Sequence, residues 1–537
     1  MPTKSILVNY SGYPYIVDSL LPDNGLALLA ASLIQKGHET KILDYAVPQT
    51  MERLFPFQYK DEIASLYRNP GIDAERIRCL DEKINDFRKG KIIEIAKEIS
   101  EHAKKENVDF VGFKLWLGEG FEGSIAIAEY LKEQNPGLPI FAGGPQVDWF
   151  GELILEKTNA FDALAYGEGE ETIIHLADHI KGKKRLDEIP NLIFKKGKEI
   201  IKTPLKRIED LDSLPTPLYD ESVYPAIKDK IHIFLLDESR GCPYSCNFCT
   251  HSIKSGKKWR TKDPKKVIDE IRSFSKTTGA FRFSGSNTPS YFKREFAKEL
   301  ISQGLDIHYT GFGHFEDTSK ETLQLFRKSG GYALLFGLES GSQEILDKSI
   351  NKRIKIFQVK KLASECQRQG IKTILSVISP APLETEQTKN QTLDLLLESK
   401  PDSVLVSLPI LVRGSEWINN SQRYNFTLNK GNINNFYKEL MDYRIKLLYP
   451  PSLWDPLPYS INNKSFSDCS KESGEFASLL ENSGILTQAT DVMFSMAKYS
   501  NLSVKELRDS VRSYFSEGNS QEVRALVKTI NKNVGKY

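Results

Sequence analysis

The sequence predicts an α/β protein in which two parallel sheets follow one another and a mostly helical region comes last. Two series of short apolar runs predict the sheets, because each run alternates with a helical pattern. The first series, in residues 1–183, is typical of a Rossmann-like, doubly wound sheet. The second, in residues 231–429, has six β-α units and favours a partial (βα)6 barrel. Residues 430–537 are predicted to form a helical C-terminal domain.

The first series contains five apolar runs that we expect to be buried parallel strands. They lie at residues 5–9, 40–43, 108–113, 138–142 and 161–165. Helical patterns occupy residues 24–36, 123–134, 150–157 and 170–181. Charged, helix-prone sequence at 48–107 interrupts this alternation and predicts an inserted helical excursion. Ligands of such sheets bind at the carboxyl ends of the strands, so we expect a binding site there.

A connecting segment leads to the second series. Residues 184–230 contain the helix-breaking residues Pro190, Pro215 and Pro217, which predicts an extended linker. The strand-like runs of the second series lie near residues 233–238, 280–284, 306–312, 332–338, 371–378 and 402–408. As in other parallel barrels, the functional groups are expected at the carboxyl ends of these strands.

Composition narrows the class of function. The 73 Lys and Arg residues nearly balance the 71 Asp and Glu residues, so charge does not indicate a nucleic-acid or membrane-surface partner. We find no apolar run near the ~20 residues that cross a bilayer, and the first residues enter a strand pattern without a signal peptide. Only six cysteines occur, three of them in one loop, which suits a reducing compartment. These features predict a cytoplasmic protein.

The most informative run of the chain places Cys242, Cys246 and Cys249 within eight residues. Three thiolates are one fewer than the usual four ligands of a 4Fe–4S cluster, which leaves one iron open to bind another molecule. A structural zinc site with His251 as fourth ligand is the alternative. Zinc sites usually gather their ligands in two pairs separated by a long loop, so the compact run favours the cluster.

This Cys-x3-Cys-x2-Cys run, with an aromatic residue before its last cysteine, resembles the signature of the radical S-adenosylmethionine (SAM) enzymes. The resemblance implies that the open iron chelates the amino and carboxylate groups of SAM. It also implies that an electron, from an external donor such as flavodoxin or ferredoxin, cleaves SAM to a 5′-deoxyadenosyl radical. The residues expected to bind SAM on this basis are Tyr244, Phe248, Ser284, Glu339 and Ser340.

Two of these expectations rest on local motifs. Glu339 lies in a Phe-Gly-Leu-Glu-Ser-Gly run at the end of the fourth strand, where the family resemblance implies contact with the amine or ribose of SAM. A helix cap or a surface acid is the alternative for this residue. The second strand ends in Ser284 to Asn287, whereas the resembling proteins usually carry acidic residues there. That contact must therefore be made differently in this chain.

The first domain resembles the cobalamin-binding domain found upstream of many radical SAM modules. The matching stretches are residues 22–30, 37–39, 142–145 and 166–170, where glycines follow strands and allow close approach of a bulky ligand. The residues expected to bind cobalamin are Asn24, Gly25, Leu115, Trp116, Gly143, Gly144, Pro145, Gln146, Gly167, Glu168 and Gly169.

The lower face of this cobalamin is predicted to lack a histidine ligand. The Asp-x-His-x-x-Gly motif that supplies a cobalt-ligating histidine in mutases is absent from the sequence. Trp116, in the loop after the third strand, is our candidate for a side chain that shields this face. Ordinary packing between sheet and helix is the alternative for Trp116.

Taken together, the resemblances imply a cobalamin-dependent radical SAM methyltransferase. It would act on an unactivated carbon, or a phosphinate phosphorus, of a small-molecule or natural-product substrate, through a 5′-deoxyadenosyl radical and methylcobalamin. No catalytic residue beyond the cofactors is predicted. Three alternatives remain: a rearrangement or cyclisation without methyl transfer, a radical enzyme whose first domain binds no cobalamin, and a cobalamin-dependent regulator.

Overall fold

The structure is a computed structural model that describes residues 2–14, 16–68, 74–285, 287–429, 432–444, 446, 448–449 and 453–535. Two large sheets organise the chain, one with seven strands and one with six. Two further sheets have two strands each. The α/β architecture expected from the sequence is confirmed.

The seven-stranded sheet belongs to the N-terminal part. Its strands are β1 (Lys4–Asn9), β2 (Glu39–Asp44), β3 (Phe110–Lys114), β4 (Ile140–Gly143), β5 (Ala163–Ala165), β6 (Leu192–Lys196) and β7 (Glu199–Lys202). Their order is β2-β1-β3-β4-β5-β6-β7, and the first five are parallel. Each parallel strand overlaps one predicted apolar run. Along β1, Ile6 and Val8 enter one buried core and Leu7 enters another, as a sheet covered on both faces requires.

Helices cover both faces of this sheet. They are α1 (Asn24–Gln35), α2 (Pro48–Leu54), α3 (Lys60–Arg68), α4 (Ala74–Lys105), α5 (Glu119–Gln134), α6 (Pro145–Lys157) and α7 (Glu170–Ile180). The predicted excursion at residues 48–107 is helical and comprises α2, α3 and α4. Ile95 and Ile99 of α4 are fully buried in the core of the sheet. The excursion is therefore part of the domain rather than an appendage.

The segment predicted as an extended linker, residues 184–230, is partly sheet. The strands β6 and β7 pair with each other and β6 pairs with β5, in both cases antiparallel. The apolar residues Leu192, Ile193 and Phe194 are buried by this pairing. The linker expectation is therefore wrong for this hairpin, which completes the edge of the first sheet.

One stretch of the described residues, Val17–Gln35, is long and apolar enough by length and composition to cross a membrane. Of its 18-residue apolar window, 61% is buried inside the protein, as for a core helix. The backbone is extended at Leu21, and α1 begins only after Asp23, whose side chain accepts a hydrogen bond from the backbone N–H of Leu26. Burial accounts for the apolar character of this stretch, which is therefore compatible with the sequence expectation of no membrane span.

The six-stranded sheet forms the partial barrel. The strands of this region are β8 (Phe234–Leu236), β9 (Ser239–Arg240), β10 (Arg260–Thr261), β11 (Ala280–Phe283), β12 (His308–Gly313), β13 (Gly331–Glu339), β14 (Lys372–Ile378) and β15 (Ser403–Ser407). The barrel order is β15-β14-β13-β12-β11-β8, all parallel, while β9 and β10 form a separate antiparallel pair. Its helices are α8 (His251–Ser255), α9 (Pro264–Phe274), α10 (Ser290–Ser302), α11 (Lys320–Lys328), α12 (Gln343–Ile345), α13 (Ile356–Gln369) and α14 (Glu386–Ser399).

The last region is mostly helical, as expected. Its elements are α15 (Glu416–Asn419), β16 (Phe426–Leu428), α16 (Ile433–Asp442), β17 (Tyr459–Ile461), α17 (Phe466–Asn482), α18 (Asp491–Ser500), α19 (Val504–Ser516) and α20 (Ser520–Val534). Asp491 of α18 accepts hydrogen bonds from Arg282 of β11 at 2.8 and 3.2 Å and from Thr310 of β12 at 2.8 Å. The carbonyl of Val534 accepts from Gly279, which precedes β11. The final helices therefore close the amino end of the barrel and leave its carboxyl end to the site.

Candidate active site

The three predicted cluster ligands lie in one loop between β9 and α8. Backbone hydrogen bonds fix this loop: Cys242 donates to Gly256 at 3.0 Å, Asn247 donates to Ile350 at 2.9 Å, and Cys249 donates to Cys246 at 3.0 Å. The loop is therefore held at its start, its centre and its end. It lies at the carboxyl end of the first barrel strand, where a parallel barrel carries its functional groups.

The donor set of this loop fits a 4Fe–4S cluster. The thiols of Cys242, Cys246 and Cys249 are partly exposed, and burial raises the pKa of each, that of Cys246 to about 12. Bound iron must therefore displace their protons. Within the described ranges, no three His, Cys, Asp or Glu side chains are grouped to share a single metal ion. Thiolates of a cluster bind separate irons, so that finding is compatible with three corners of a cluster.

Aromatic side chains pack around the cysteine loop. The ring of Tyr244 stacks on that of His314, with ring centroids 3.8 Å apart. Phe248 contacts the fully buried Trp417, with centroids 5.6 Å apart. The backbone N–H of Trp417 donates to the carbonyl of Asn247 at 3.0 Å. The two aromatic residues predicted to contact SAM thus have fixed ring positions.

Glu339 and Lys352 form a buried ion pair beside the cysteines. Glu339 ends β13 with a φ of 68°, and its Oε1 lies 2.5 Å from Nζ of Lys352. Burial alone would lower the pKa of Lys352, but Glu339 and then Cys246 raise it. The positive charge of this lysine favours thiolates nearby. The hydroxyl of Ser340, by contrast, hydrogen-bonds Thr392 of α14 at 3.2 Å.

Glu238, which the sequence reasoning missed, organises the end of the second barrel strand. It lies just past β8, is fully buried, and accepts from the backbone N–H groups of Ser284 and Gly285 at 3.1 and 3.3 Å. The hydroxyls of Thr288 and Ser239 also donate to it, at 2.5 and 2.9 Å. A carboxylate is thus present where the resembling proteins carry acidic residues, but it is supplied by the neighbouring strand.

The predicted cobalamin residues meet at the carboxyl edge of the first sheet. Gly143 ends β4, and Gly144 has a φ of +101°, a conformation that L side chains rarely adopt. A Cβ at Gly144 would lie 3.1 Å from the carbonyl oxygen of Leu115, in the loop after β3. Pro145 begins α6 with a φ suited to the first helical turn. The turn therefore leaves no room for a side chain at Gly144, and a glycine there lets the backbone approach a large ligand closely.

Gln146 provides the unsatisfied atom of this cradle. It is fully buried, and its Nε2 donates to the carbonyl of Met441 at 3.0 Å. Its Oε1 makes no hydrogen bond with any residue that the structure describes. Cobalamin carries amide side chains that donate hydrogen bonds, so a buried acceptor in a glycine-lined cradle fits it.

The loop after β5 turns at Gly167, whose φ is +74° and whose N–H donates to Asp148 at 2.7 Å. Gly169 precedes α7, and a Cβ there would lie 3.2 Å from Leu29 of α1. Between the two glycines, the Glu168 side chain points to the barrel instead of the sheet edge.

Glu168 joins the two domains. Its carboxylate contacts Arg260 at 2.5 and 3.0 Å and Arg240 at 3.7 Å, and it accepts from the N–H of Ile208 at 2.7 Å. Arg240 and Arg260 belong to β9 and β10, which flank the cysteine loop. An ion pair between Lys254 of α8 and Asp148 of α6 lies beside it. The two carboxyl edges therefore face each other across a short distance.

Asn24 and Gly25 begin α1 at the same edge as the glycine turns. Asn24 accepts from the hydroxyl of Tyr219 at 2.9 Å. Nearby, Trp116 donates its indole N–H to Asn9 at 2.7 Å, and Nζ of Lys114 lies 4.1 Å from the centroid of its ring. The indole is therefore fixed at the carboxyl end of β3, while Leu115 is fully buried behind it.

The sequence reasoning missed several charged residues of the site. The chain has an Asp-Glu-Ser-Arg run directly before the cysteine loop, and charged residues next to a strand end were a usable signal for Glu238 and Arg240. Lys352 lies 103 positions after Cys249 in unremarkable sequence, so only the fold brings it to the loop.

Comparison with known proteins agrees with this geometry. The family model described as "Radical SAM superfamily" matches residues 239–396, and the one described as "B12 binding domain" matches residues 63–177. The fold and the site together define a radical SAM enzyme. The chain carries a radical SAM domain, with a B12-binding domain ahead of it. Such domains take a 4Fe–4S cluster with SAM, and cobalamin, respectively.

Several curated proteins are similar to the chain. An uncharacterized methyltransferase of Pyrococcus horikoshii is 28% identical over 302 residues, which cover 55% of this chain and 65% of the relative. An anaerobic magnesium-protoporphyrin IX monomethyl ester cyclase of Synechocystis is 27% identical over 51% of this chain and 56% of its own length. A cytidylyl-2-hydroxyethylphosphonate methyltransferase of Streptomyces wedmorensis is 23% identical over 80% of this chain and 82% of its own length. The chain thus spans about half to two thirds of the first two relatives.

The fold also matches a solved structure along almost its whole length. The radical SAM methyltransferase TsrM from Kitasatospora setae, solved with cobalamin and a 4Fe–4S cluster, superposes with a TM-score of 0.69. The match covers 98% of this chain and 99% of TsrM at 14% identity. At that identity the likeness establishes the fold.

Proposed function

We propose that this chain is a cobalamin-dependent radical SAM methyltransferase that acts on a small molecule. The observation that carries the proposal is the direct ion pairing of Glu168, in the cobalamin loop, with Arg240 and Arg260, on either side of the cysteine loop. Because these pairs join the two carboxyl edges, ligands bound at the two edges would lie close to each other. Methyltransferases named among the relatives, including one for a phosphonate, support the same reaction class.

The residues of the chain contribute binding and orientation. When bound, the cluster with SAM supplies radical chemistry and cobalamin supplies the methyl group. Cys242, Cys246 and Cys249 would hold the cluster, and Glu339, fixed by Lys352, would accept hydrogen bonds from SAM. Trp116, held by its bond to Asn9, would keep water from the lower face of the corrin.

The chemistry of the cluster also implies an electron donor and a compartment. The cluster needs a one-electron donor, for which a flavodoxin or ferredoxin is our proposal. We also propose a reducing, cytoplasmic setting, because an iron–sulfur cluster with one open iron is sensitive to oxygen.

A cyclisation without methyl transfer is the second candidate. The observation that favours it is the 27% identity to the Synechocystis cyclase over 51% of this chain. The two functions differ in the products made from SAM. A methyltransferase consumes SAM both as methyl donor and as radical source, whereas a cyclase needs only the radical source.

The test is an anaerobic incubation of the holoenzyme with a reductant and SAM, followed by mass spectrometry. We expect 5′-deoxyadenosine together with S-adenosylhomocysteine, at about one equivalent of the latter per bound cobalamin. The matched control is protein reconstituted without cobalamin, which should form only 5′-deoxyadenosine. Equal amounts of S-adenosylhomocysteine with and without cobalamin, or none in either, would contradict methyl transfer.

A further inference from the structure

The residues on either side of Cys246 are bonded to one neighbouring segment of the chain. Asn247 donates its backbone N–H to the carbonyl of Ile350 at 2.9 Å. The carbonyl of Ser245 accepts from Nδ2 of Asn351 at 3.1 Å. Ser245 and Asn351 are both exposed. The cysteine loop therefore reaches the surface of the protein at this point, next to the segment that continues from Asn351.

That segment is strongly basic. Residues 348–361 contain six Lys and Arg residues and no Asp or Glu, whereas the whole chain has 73 basic and 71 acidic residues. Four of the six form ion pairs, namely Lys348, Lys352, Lys355 and Lys360. Arg353 and Lys361 are exposed and form no ion pair with any residue that the structure describes. Their charges are therefore available to an acidic partner.

An exposed aromatic side chain lies between these two charges in the sequence. Phe357, in the first turn of α13, is 69% exposed, more than any other large apolar side chain that the structure describes. Lys361 lies four residues further along the same helix, so the two side chains are neighbours on one helix face. Arg353 lies two residues past Asn351, so their Cα atoms are at most about 8 Å apart. We call Arg353, Phe357 and Lys361 the basic face.

We propose that the basic face is the docking surface for a small acidic protein that delivers one electron to the cluster. The inference rests on the radical SAM part of the proposed function, which requires such a donor, and not on methyl transfer. An acidic partner complements the two unpaired charges, which speed its approach and orient it. Aromatic and Arg side chains are also the types that most often anchor an interface.

The place of the basic face favours a redox partner over other acidic surfaces. An anionic membrane would also be attracted to two positive charges beside an exposed aromatic ring. The segment that carries the face, however, is hydrogen-bonded directly to the residues that flank Cys246. A donor bound there would bring its redox centre close to the cluster, and electron transfer is faster over a shorter distance.

The test measures the binding of a flavodoxin, and in parallel of a ferredoxin, to the cluster-containing protein by anaerobic calorimetry. Arg353→Glu combined with Lys361→Glu should raise the dissociation constant about tenfold or more at low salt, because like charges then oppose each other across the interface. The loss should shrink as added salt screens the charges. Phe357→Ser should raise the dissociation constant roughly tenfold at either salt concentration, since the interface loses buried apolar area.

A second readout separates docking from the chemistry of the cluster. Formation of 5′-deoxyadenosine from SAM is followed with the reduced donor protein and with dithionite, a small reductant that needs no docking surface. Both variants should need more donor protein for the half-maximal rate and should keep the wild-type rate with dithionite. The matched control combines Lys104→Glu with Lys105→Glu, because these lysines are also exposed and end α4 in the first domain. It should behave as the wild type in both assays.

Unchanged affinity for the donor in both variants would overturn the proposal. So would a wild-type protein that binds vesicles of anionic phospholipid but neither donor. An equal loss of rate with the donor and with dithionite would also contradict it, because the damage would then lie at the cluster. If the wild type formed no 5′-deoxyadenosine with dithionite, the proposed function itself would fail, while the measured affinities would still report on docking. The two failures are thereby distinguished.

Discussion

The two carboxyl edges of the molecule recognise ligands by different means. The edge of the first sheet is shaped by glycines, two of which, Gly144 and Gly167, have positive φ values, and it carries the buried acceptor Oε1 of Gln146. The edge of the barrel is charged: Glu339 and Lys352 form a buried pair next to three thiols. The first edge suits a large ligand held by many weak contacts, and the second suits small charged groups. Single substitutions should therefore change ligand binding more at the carboxyl edge of the barrel than at the edge of the first sheet.

The largest effect is expected at the cysteine loop. Cys246→Ala should reduce iron from about four to below one per chain, because each cluster corner needs its thiolate. Iron analysis and electron paramagnetic resonance of the reduced protein measure this. The matched control is Cys79→Ala, since Cys79 is exposed on α4. Retention of a full cluster in the Cys246 variant would contradict the assignment of this loop.

The next largest effect is expected on stability, at the junction formed by the ion pairs of Glu168 with Arg240 and Arg260. Arg260→Ala should destabilise the folded protein by roughly 3–5 kcal/mol, because it leaves the buried carboxylate of Glu168 without its main partner. Thermal or denaturant unfolding measures this loss. Lys206→Ala is the control, since its pair with Glu171 is exposed and worth at most about 1 kcal/mol. Equal stability of the two variants would show that the junction does not hold the edges together.

A smaller effect is expected in the cobalamin cradle. Gly144→Ala should cost about 1–2 kcal/mol through its positive φ and should lower cobalamin retention several-fold, because the new Cβ meets the carbonyl of Leu115 at 3.1 Å. Gly182→Ala is matched to it, with a φ of +71° and open space around the position. The control should lose similar stability and retain cobalamin. Equal retention in both variants would place the corrin elsewhere.

The smallest effect on binding, with a clear spectral signature, is expected at Trp116. Trp116→His should leave cobalamin content within about twofold, since shape dominates this edge, and should introduce nitrogen hyperfine splitting in the paramagnetic resonance spectrum of cob(II)alamin. The wild-type protein should show no such splitting from a protein nitrogen. Trp149→His, on α6, should resemble the wild type. Absence of splitting in the Trp116 variant would argue for simple packing of this indole.

Much of the fold was predictable because it depends on local patterns. The apolar runs at β1, β3 and β13 are continuous and bounded by polar turns, so strand identity follows from the sequence. The hairpin of β6 and β7 was not predictable, since its burial depends on pairing with β5. The same holds for α18, whose Asp491 closes the barrel through contacts with strands some 180 and 210 residues earlier.

The residues of the candidate site also differ in whether local sequence predicts them. The three cysteines lie within eight residues of sequence, and their number and spacing indicate the cluster. Glu168 was expected to contact cobalamin as part of a Gly-x-Gly turn, and the structure pairs it with Arg260, 92 residues away. Lys352 lies in unremarkable sequence, and only the fold brings it to Glu339 beside the cysteine loop. Long-range electrostatics of this kind is set by the fold and leaves no local signal.

Metal analysis tests the central claim most directly. The protein is prepared anaerobically with iron, sulfide and hydroxocobalamin, and its iron, cobalt and ultraviolet-visible spectrum are measured. The account predicts about four irons and one cobalt per chain, with a cobalamin spectrum that lacks a histidine ligand. Four irons without cobalt would contradict it, because the first edge would then hold a substrate or partner instead of cobalamin.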